Sequence, residues 1–396
     1  MSSAASDPRV DARSPVYRRA LIALFCAGVA TFAQMYSPQG LLPEIAREFG
    51  VSASASSWAV GATTIGVAAG VLPWARLSDR IGRVRAMRWA VCAAVVVGLT
   101  SALAPGFEAL VAIRFIEGLA LAGLPALAVI TLAETVSAAA LGGAIGSYVA
   151  GNTIGGLAGR LLAGSSDALW GWRGGVMMVA VLAAVAAVPF MLLVPPTRVP
   201  PAPSLPLGRG VLANLRNPGV MVLVAQGFLL MGGFVAAYNY LAFRLQQAPF
   251  GLTASQVSWI FLAYLAGAVS SRYVWRVAHR FAPTPVLVAC VGLMLGGLAL
   301  TLLASLPLVI AGLVLFTAGF FGAHTISSGL INRRAGEGRS LAPSLYNLGY
   351  YGGSSLLGWL GGVAFAASGW GGTVALIAAA AMLAAAAAWI YAARAQ

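Results

Sequence analysis

Four ionisable side chains lie inside long apolar runs: Arg114, Glu117, Arg160 and His324. A charge there costs about 3 kcal/mol or more at the centre of a bilayer unless it is paired or hydrated, so each is a functional candidate. Arg114 and Glu117 are three residues apart and share one face of a helix. That spacing has two readings. The pair can be a structural ion pair, or Glu117 can titrate, its proton affinity set by burial against the charge of Arg114. His324 is the only histidine placed within an apolar run, where it is either a proton carrier or a hydrogen-bonded core residue. His279 falls in a basic loop and is expected to be solvated.

Other chemistry is excluded. Cys26, Cys92 and Cys290 lie in apolar segments without metal-ligand spacing and read as small hydrophobes. There is no P-loop, no glycine-rich phosphate cradle and no pair of carboxylates on one face. ATP-driven pumping by this chain alone is therefore not expected, nor is any bound cofactor or metal.

These groups need elements that hold them in an apolar medium. Of the 396 residues, 60% are hydrophobic and 9% charged, against about 25% charged in a soluble domain. Lipid is the solvent such a chain suits. The net charge is +14, carried entirely by arginine. The arginines sit between apolar runs and not on one soluble module, which argues against nucleic acid. Arg18-Arg19 before the first apolar run imitates a secretion signal. Phe25 before Cys26 is too large for a lipoprotein cleavage site, so the run is read as an uncleaved first helix.

A spanning helix needs about 20 mostly apolar residues. Twelve such runs are expected, near 18–38, 56–76, 86–104, 107–133, 139–164 and 173–194, then 217–241, 256–276, 284–304, 306–330, 340–366 and 370–393. Between the two sets, Pro195 to Pro206 holds six prolines in twelve residues, an extended connector. The expected organisation is a tail at 1–17, a six-helix bundle at 18–194, a linker at 195–216 and a second bundle at 217–396. With both termini placed inside, nineteen arginines fall on the cytoplasmic side, three outside and two within spans. That asymmetry matches the preference of basic residues for the cytoplasm.

The halves repeat. Phe49-Gly50-Val51-Ser52-Ala53-Ser54 with Ser57-Trp58 matches Phe250-Gly251-Leu252-Thr253-Ala254-Ser255 with Ser258-Trp259, 201 residues on. Arg76 to Gly82 faces Arg276 to Ala282 in the same way. Such a repeat implies two like-folded bundles related by an axis along the membrane normal.

The loop Ala75-Arg76-Leu77-Ser78-Asp79-Arg80-Ile81-Gly82-Arg83-Val84-Arg85 resembles the signature between helices 2 and 3 of the major facilitator superfamily. Ala75 stands where the family usually has glycine and Val84 where it has a basic residue. The resemblance implies that Asp79, Arg80, Gly82 and Arg83 form a latch between the halves that breaks during transport. In the fourth run, Leu110 to Gly118 is similar to a second family motif, Leu-x-x-x-Arg-x-x-Gln/Glu-Gly. It implies proton coupling at Arg114, as in related antiporters. In the fifth run, Gly151, Gly155 and Gly159 form a small-residue stripe, which packing alone explains. The stripe also resembles the family's antiporter motif, with Asn152 where proline is usual, so it does not fix a direction. Gly-Asn followed by Gly-Gly and Arg is similar to the YnfM-like branch, related to the arabinose-efflux permeases.

The resemblance implies an all-α integral membrane fold of twelve helices in two pseudo-symmetric bundles. It implies a monomeric secondary transporter in a bacterial inner membrane that moves a small organic solute or drug, with the proton gradient as its energy source and efflux preferred. Proton-coupled import of a sugar or organic anion is the alternative. A receptor would be expected to carry a sizeable signalling segment, and a membrane enzyme a cluster of embedded acids or histidines; neither is found. Substrate contacts are expected near mid-membrane. The candidates are Gln34, Tyr36, Asn152, Arg160, Gln226, Tyr238, Asn239, Tyr346, Asn347 and Tyr350. Several of the aromatics could instead form interfacial belts, Tyr238 and Tyr240 above all.

Overall fold

The computed structural model describes residues 10–196, 207–336 and 341–394. Arg9, Arg198, Arg339, Pro200 to Pro206 and the first nine residues of the expected tail lie outside the described residues. The elements are α1 (Pro15–Met35), α2 (Leu42–Phe49), α3 (Ala53–Ser56), α4 (Trp58–Ile81), α5 (Arg83–Ser101), α6 (Phe107–Leu121), α7 (Gly123–Thr135) and α8 (Ala138–Leu193). There follow α9 (Leu207–Leu215), α10 (Pro218–Gln246), α11 (Ala254–Ser258), α12 (Tyr264–Phe281), α13 (Pro283–Leu300), α14 (Leu306–Arg334) and α15 (Ala342–Arg394). Among the described residues the only β pairing is an isolated bridge between Val10 and Val136. In lipid every backbone donor and acceptor must be satisfied within the segment, which selects helices.

Ten segments are long and apolar enough to cross a membrane. Two of these are too long for one crossing. α8 has 56 residues and α15 has 53, or about 80 Å at 1.5 Å per residue against a hydrocarbon core of about 30 Å. Each is broken near its middle. Gly171 (φ 62°) interrupts α8, and Ser368 with Gly369 (φ 59°) interrupts α15.

Local signals set the other ends. Ser14 accepts a hydrogen bond from the Val16 N–H, and Asn217 accepts from Gly219 and Val220. Proline opens α1, α10 and α13, where its missing N–H costs nothing. The sequence repeat is also a backbone repeat. Gly50 and Gly251 are both left-handed, at φ 63° and 60°. Ser52 and Thr253 each cap the short helix that follows. Gly82 (φ 90°) turns α4 into α5, and its mate Ala282 (φ 68°) turns α12 into α13 with a side chain ill-suited to that region.

Packing follows the repeat. α1 lies along α8 as α10 lies along α15; α4 meets α6 as α12 meets α14. The halves touch through α4 with α15 and through α8 with α11, again a matched pair. The close approach of α1 to α8 is made by the glycine stripe. A Cβ on Gly151, Gly155 or Gly159 would collide with the backbone of Phe25, Val29 or Ala33, four residues apart on α1. Gly349 and Gly353 meet Val224 and Phe228 of α10 in the same register.

Candidate functional site

Arg114 and Glu117 project from α6 into the centre of the first half, each 1% exposed. One Nη of Arg114 donates to Glu117 Oε2 at 2.7 Å. Nε donates to the Ala59 carbonyl of α4, and the other Nη to the carbonyls of Gln34 and Met35 at the end of α1. A helix end leaves carbonyls without partners inside the helix; Arg114 fills that role for α1. Ser101 of α5 donates to the same Glu117 oxygen at 3.1 Å. The pair therefore ties α1, α4, α5 and α6 together. Gln34 turns its amide N–H₂ back to Ala30, while its Oε1 lies beside Gly98, as does Glu117 Oε1.

Arg160 of α8 is arranged differently. Its Nε donates to Gln39 Oε1 at 2.8 Å and one Nη to the Gly156 carbonyl at 2.6 Å. Its guanidinium carbon lies 4.7 Å from the ring centres of Tyr36 and Tyr264 and 5.4 Å from that of Phe261. Gln39 in turn donates to Asn239 Oδ1 of α10 at 2.9 Å, across the halves. Tyr238 stacks on Phe261 at 5.3 Å and its hydroxyl meets Thr317 of α14.

His324 of α14 shares a hydrogen bond of 2.8 Å between Nδ1 and the Tyr346 hydroxyl of α15. It stacks on Phe320 and lies 5.0 Å from the Tyr350 ring. The Tyr264 ring, which faces Arg160, packs edge-on against Phe321 at 5.8 Å, and Phe321 against Phe320 at 5.3 Å. A continuous polar and aromatic path thus joins Arg160, in one half, to His324, in the other. No contact among the described residues joins either of them to the Arg114 pair directly.

The remaining candidates separate. Gln226 is buried against the other side of α10, donating to the Ala384 carbonyl at 2.6 Å. Asn152 packs over Gly28 of α1, and Asn347 is exposed. Tyr238 and Tyr240 are fully buried, which rules out a place in an interfacial belt. Arg244, expected in an outer loop, lies on the last turn of α10, where it caps the carbonyls of Leu302 and Leu303. The expected latch loop is helical except at Gly82: Asp79 and Arg80 lie exposed at the end of α4, and Arg83 begins α5. Arg83 forms a two-pronged ion pair with Glu134 of α7, in its own half, at 2.7 and 2.9 Å. Sequence reasoning did not single out Glu134, Gln39, Phe261 or Tyr264. The repeat held one clue: Gln39 and Asn239 lie 200 residues apart, one repeat length.

The hydrogen bonds between the halves gather at one end, opposite the end where α1 begins. They join Gln39 to Asn239, Glu44 and Arg47 to Gln246, Thr64 to Ser355, and Ser165 to Ser255.

Known proteins share this architecture. The Major Facilitator Superfamily profile matches residues 24–336, and the chain belongs to that family. It is 37% identical over 368 residues to the inner membrane transport protein YnfM of Escherichia coli, covering 92% of this chain and 88% of that one. It is 32% identical over 306 residues to a chloramphenicol resistance protein of Streptomyces lividans, covering 74% and 75%. Among solved structures, the nucleoside transporter NupG (a D323A mutant) superposes with a TM-score of 0.77 at 13% identity, over 94% of this chain and 99% of that one. The protein is a multi-pass membrane protein of a transporter family.

Proposed function

We propose that the chain is a secondary active transporter that carries a small organic solute or drug across a bacterial inner membrane by alternating access, in exchange for protons and in the efflux direction. The observation that carries this reading is the polar and aromatic path from Arg160 to His324. It is shared by both halves, and the hydrogen bonds between the halves among the described residues lie toward one end. A rocking motion that breaks that end and closes the other would expose the path to each side in turn. Counted as two crossings each, the segments broken at Gly171 and at Ser368–Gly369 would bring the ten apolar segments to the expected twelve. Twelve crossings put both termini on one side, and the arginine bias makes that side the cytoplasm. The gathered end then faces outward.

The chloramphenicol resistance relative supports efflux. Glu117, held by Arg114, and His324 are the groups available to take up a proton. Asp79, Arg80, Gly82 and Arg83 would act as the latch at the cytoplasmic end. The protein acts as a monomer and needs no cofactor beyond the proton gradient. Import of a sugar or organic anion is a second reading: Asn152 stands where the antiporter motif that this segment resembles has proline.

Purified protein in liposomes loaded with a pH-sensitive dye tests this. Drugs, sugars and organic anions are added under an imposed proton gradient. Proton movement triggered by one compound gives the substrate class, and its sign separates antiport from symport. Silence across the panel with correctly inserted protein removes proton coupling.

A further inference from the structure

Arg114 and Arg160 are the two buried arginines among the described residues, and only Arg114 has a carboxylate partner. Arg47, Arg83, Arg114 and Arg173 each have a carboxylate partner within 3.2 Å. Arg160 is 4% exposed and has none among the described residues. A buried cation without a countercharge is costly. Glu44 is bonded to Gln246 and Arg47, and Glu48 to Trp172 and Arg173. Of the guanidinium's two terminal nitrogens, one donates to Gly156 and the other has no hydrogen-bond acceptor among the described residues. Three ring faces from Tyr36, Phe261 and Tyr264 shelter the charge in place of a carboxylate.

Two of those rings belong to the other half. Phe261 and Tyr264 precede and begin α12, whereas Arg160 and Tyr36 are in the first half. Opening the gathered end carries Phe261 and Tyr264 away from the guanidinium. The state that opens there loses their shelter and gains a bare cation with a free donor, faced by the Tyr36 ring. An anion bound at that point would offset the loss and favour that state, which is how a ligand shifts such an equilibrium.

We infer that Arg160 anchors the carboxylate of the transported solute, and that the solute is a small organic anion with an aromatic or apolar body. Gln39 orients the guanidinium, and Tyr36, which stays with Arg160 in the first half, flanks the body of the solute. The inference rests on the transporter reading and deepens it by naming a substrate class.

The test uses the full-length protein with three probes of like shape: benzoate, neutral benzamide and cationic benzylamine. Thermal unfolding is followed by tryptophan fluorescence as each is titrated. Benzoate is expected to raise Tm in a saturable manner, and the other two not to. Arg160→Gln should weaken benzoate binding on the order of 10- to 100-fold, the range of one or more charge-assisted hydrogen bonds. Arg160→Lys should recover part of it. Absence of a benzoate effect, or equal effects of benzoate and benzamide on the unaltered protein, overturns the inference without reliance on any variant. Liposome transport separates the two levels. Transport of a neutral or cationic compound that Arg160→Gln leaves intact overturns the anion site and keeps the transporter. Failure of every compound to move overturns the transporter reading, while the benzoate titration still decides the site.

Discussion

Replacing either member of the Arg114–Glu117 pair tests how much of the first half it holds. Arg114 bonds to three backbone carbonyls on two helices and to Glu117; Glu117 bonds to Arg114 and Ser101. Breaking a buried ion pair by removing one partner costs about 3–5 kcal/mol, because the other charge is left uncompensated. In Glu117→Gln the amide oxygen can still accept from Arg114 and Ser101, and the carbonyls of Ala59, Gln34 and Met35 still face the guanidinium. The loss should lie near the lower bound. Arg114→Gln strips the end of α1 of its cap and leaves a buried carboxylate, so its loss should lie near the upper bound. At about 2 °C per kcal/mol for a chain this large, the expected falls in Tm are about 6 °C and about 10 °C. Thermal unfolding of purified protein in detergent reads both. Equal falls, a larger fall for Glu117→Gln, or none in either would refute the view of the pair as a clamp centred on the arginine. The same variants in liposomes address proton coupling: full proton-driven transport by Glu117→Gln removes Glu117 from that role.

Further outcomes follow from backbone and packing. Ala282→Gly relieves a left-handed backbone and should stabilise the protein by about 1 kcal/mol, whereas Gly82→Ala imposes the same strain and should cost about as much; unfolding midpoints check both. Gly155→Val drives a side chain into the backbone of α1 and should cost about 3 kcal/mol, the upper range for overpacking, seen as lost folded protein on size exclusion. Glu134→Ala should expose the segment around Arg83 to faster amide exchange while leaving α10–α15 unchanged.

Much of the fold was legible because membrane burial writes simple rules. Apolar length placed the long helices, and the expected runs at 139–164 and 173–194 fall on the two sides of the break in α8. The matched Phe-Gly-x-Ser/Thr segments implied like-folded halves, and the left-handed turns at Gly50 and Gly251 match. The spacing of Arg114 and Glu117 placed them on one face, and they do pair. The partners of Arg160 were not legible. Its aromatic walls come from segments more than one hundred residues apart in sequence, and only the packing of the halves unites Tyr36 with Tyr264. Gln226 shows the converse error. It shares α10 with Asn239, but sits 13 positions earlier on a face turned to Ala384. A polar residue in a span signals a buried partner, not which neighbour supplies it.

The bonds between the halves also set an energy scale for motion. None of them, among the described residues, joins opposite charges across the divide; each has an amide, hydroxyl or backbone carbonyl on at least one side. Such bonds are exchanged for bonds to water at a net cost of about 1 kcal/mol apiece. The charge pairs, by contrast, are kept inside one half: Arg114 with Glu117, Arg83 with Glu134, Arg173 with Glu48. Rigidity is thereby confined to the moving bodies and softness to the seam between them. The six such bonds sum to about 6 kcal/mol, of the order of two to three unit charges crossing a membrane held at 100 mV, worth about 2.3 kcal/mol each. A seam of this softness suits the gradient-driven exchange proposed above.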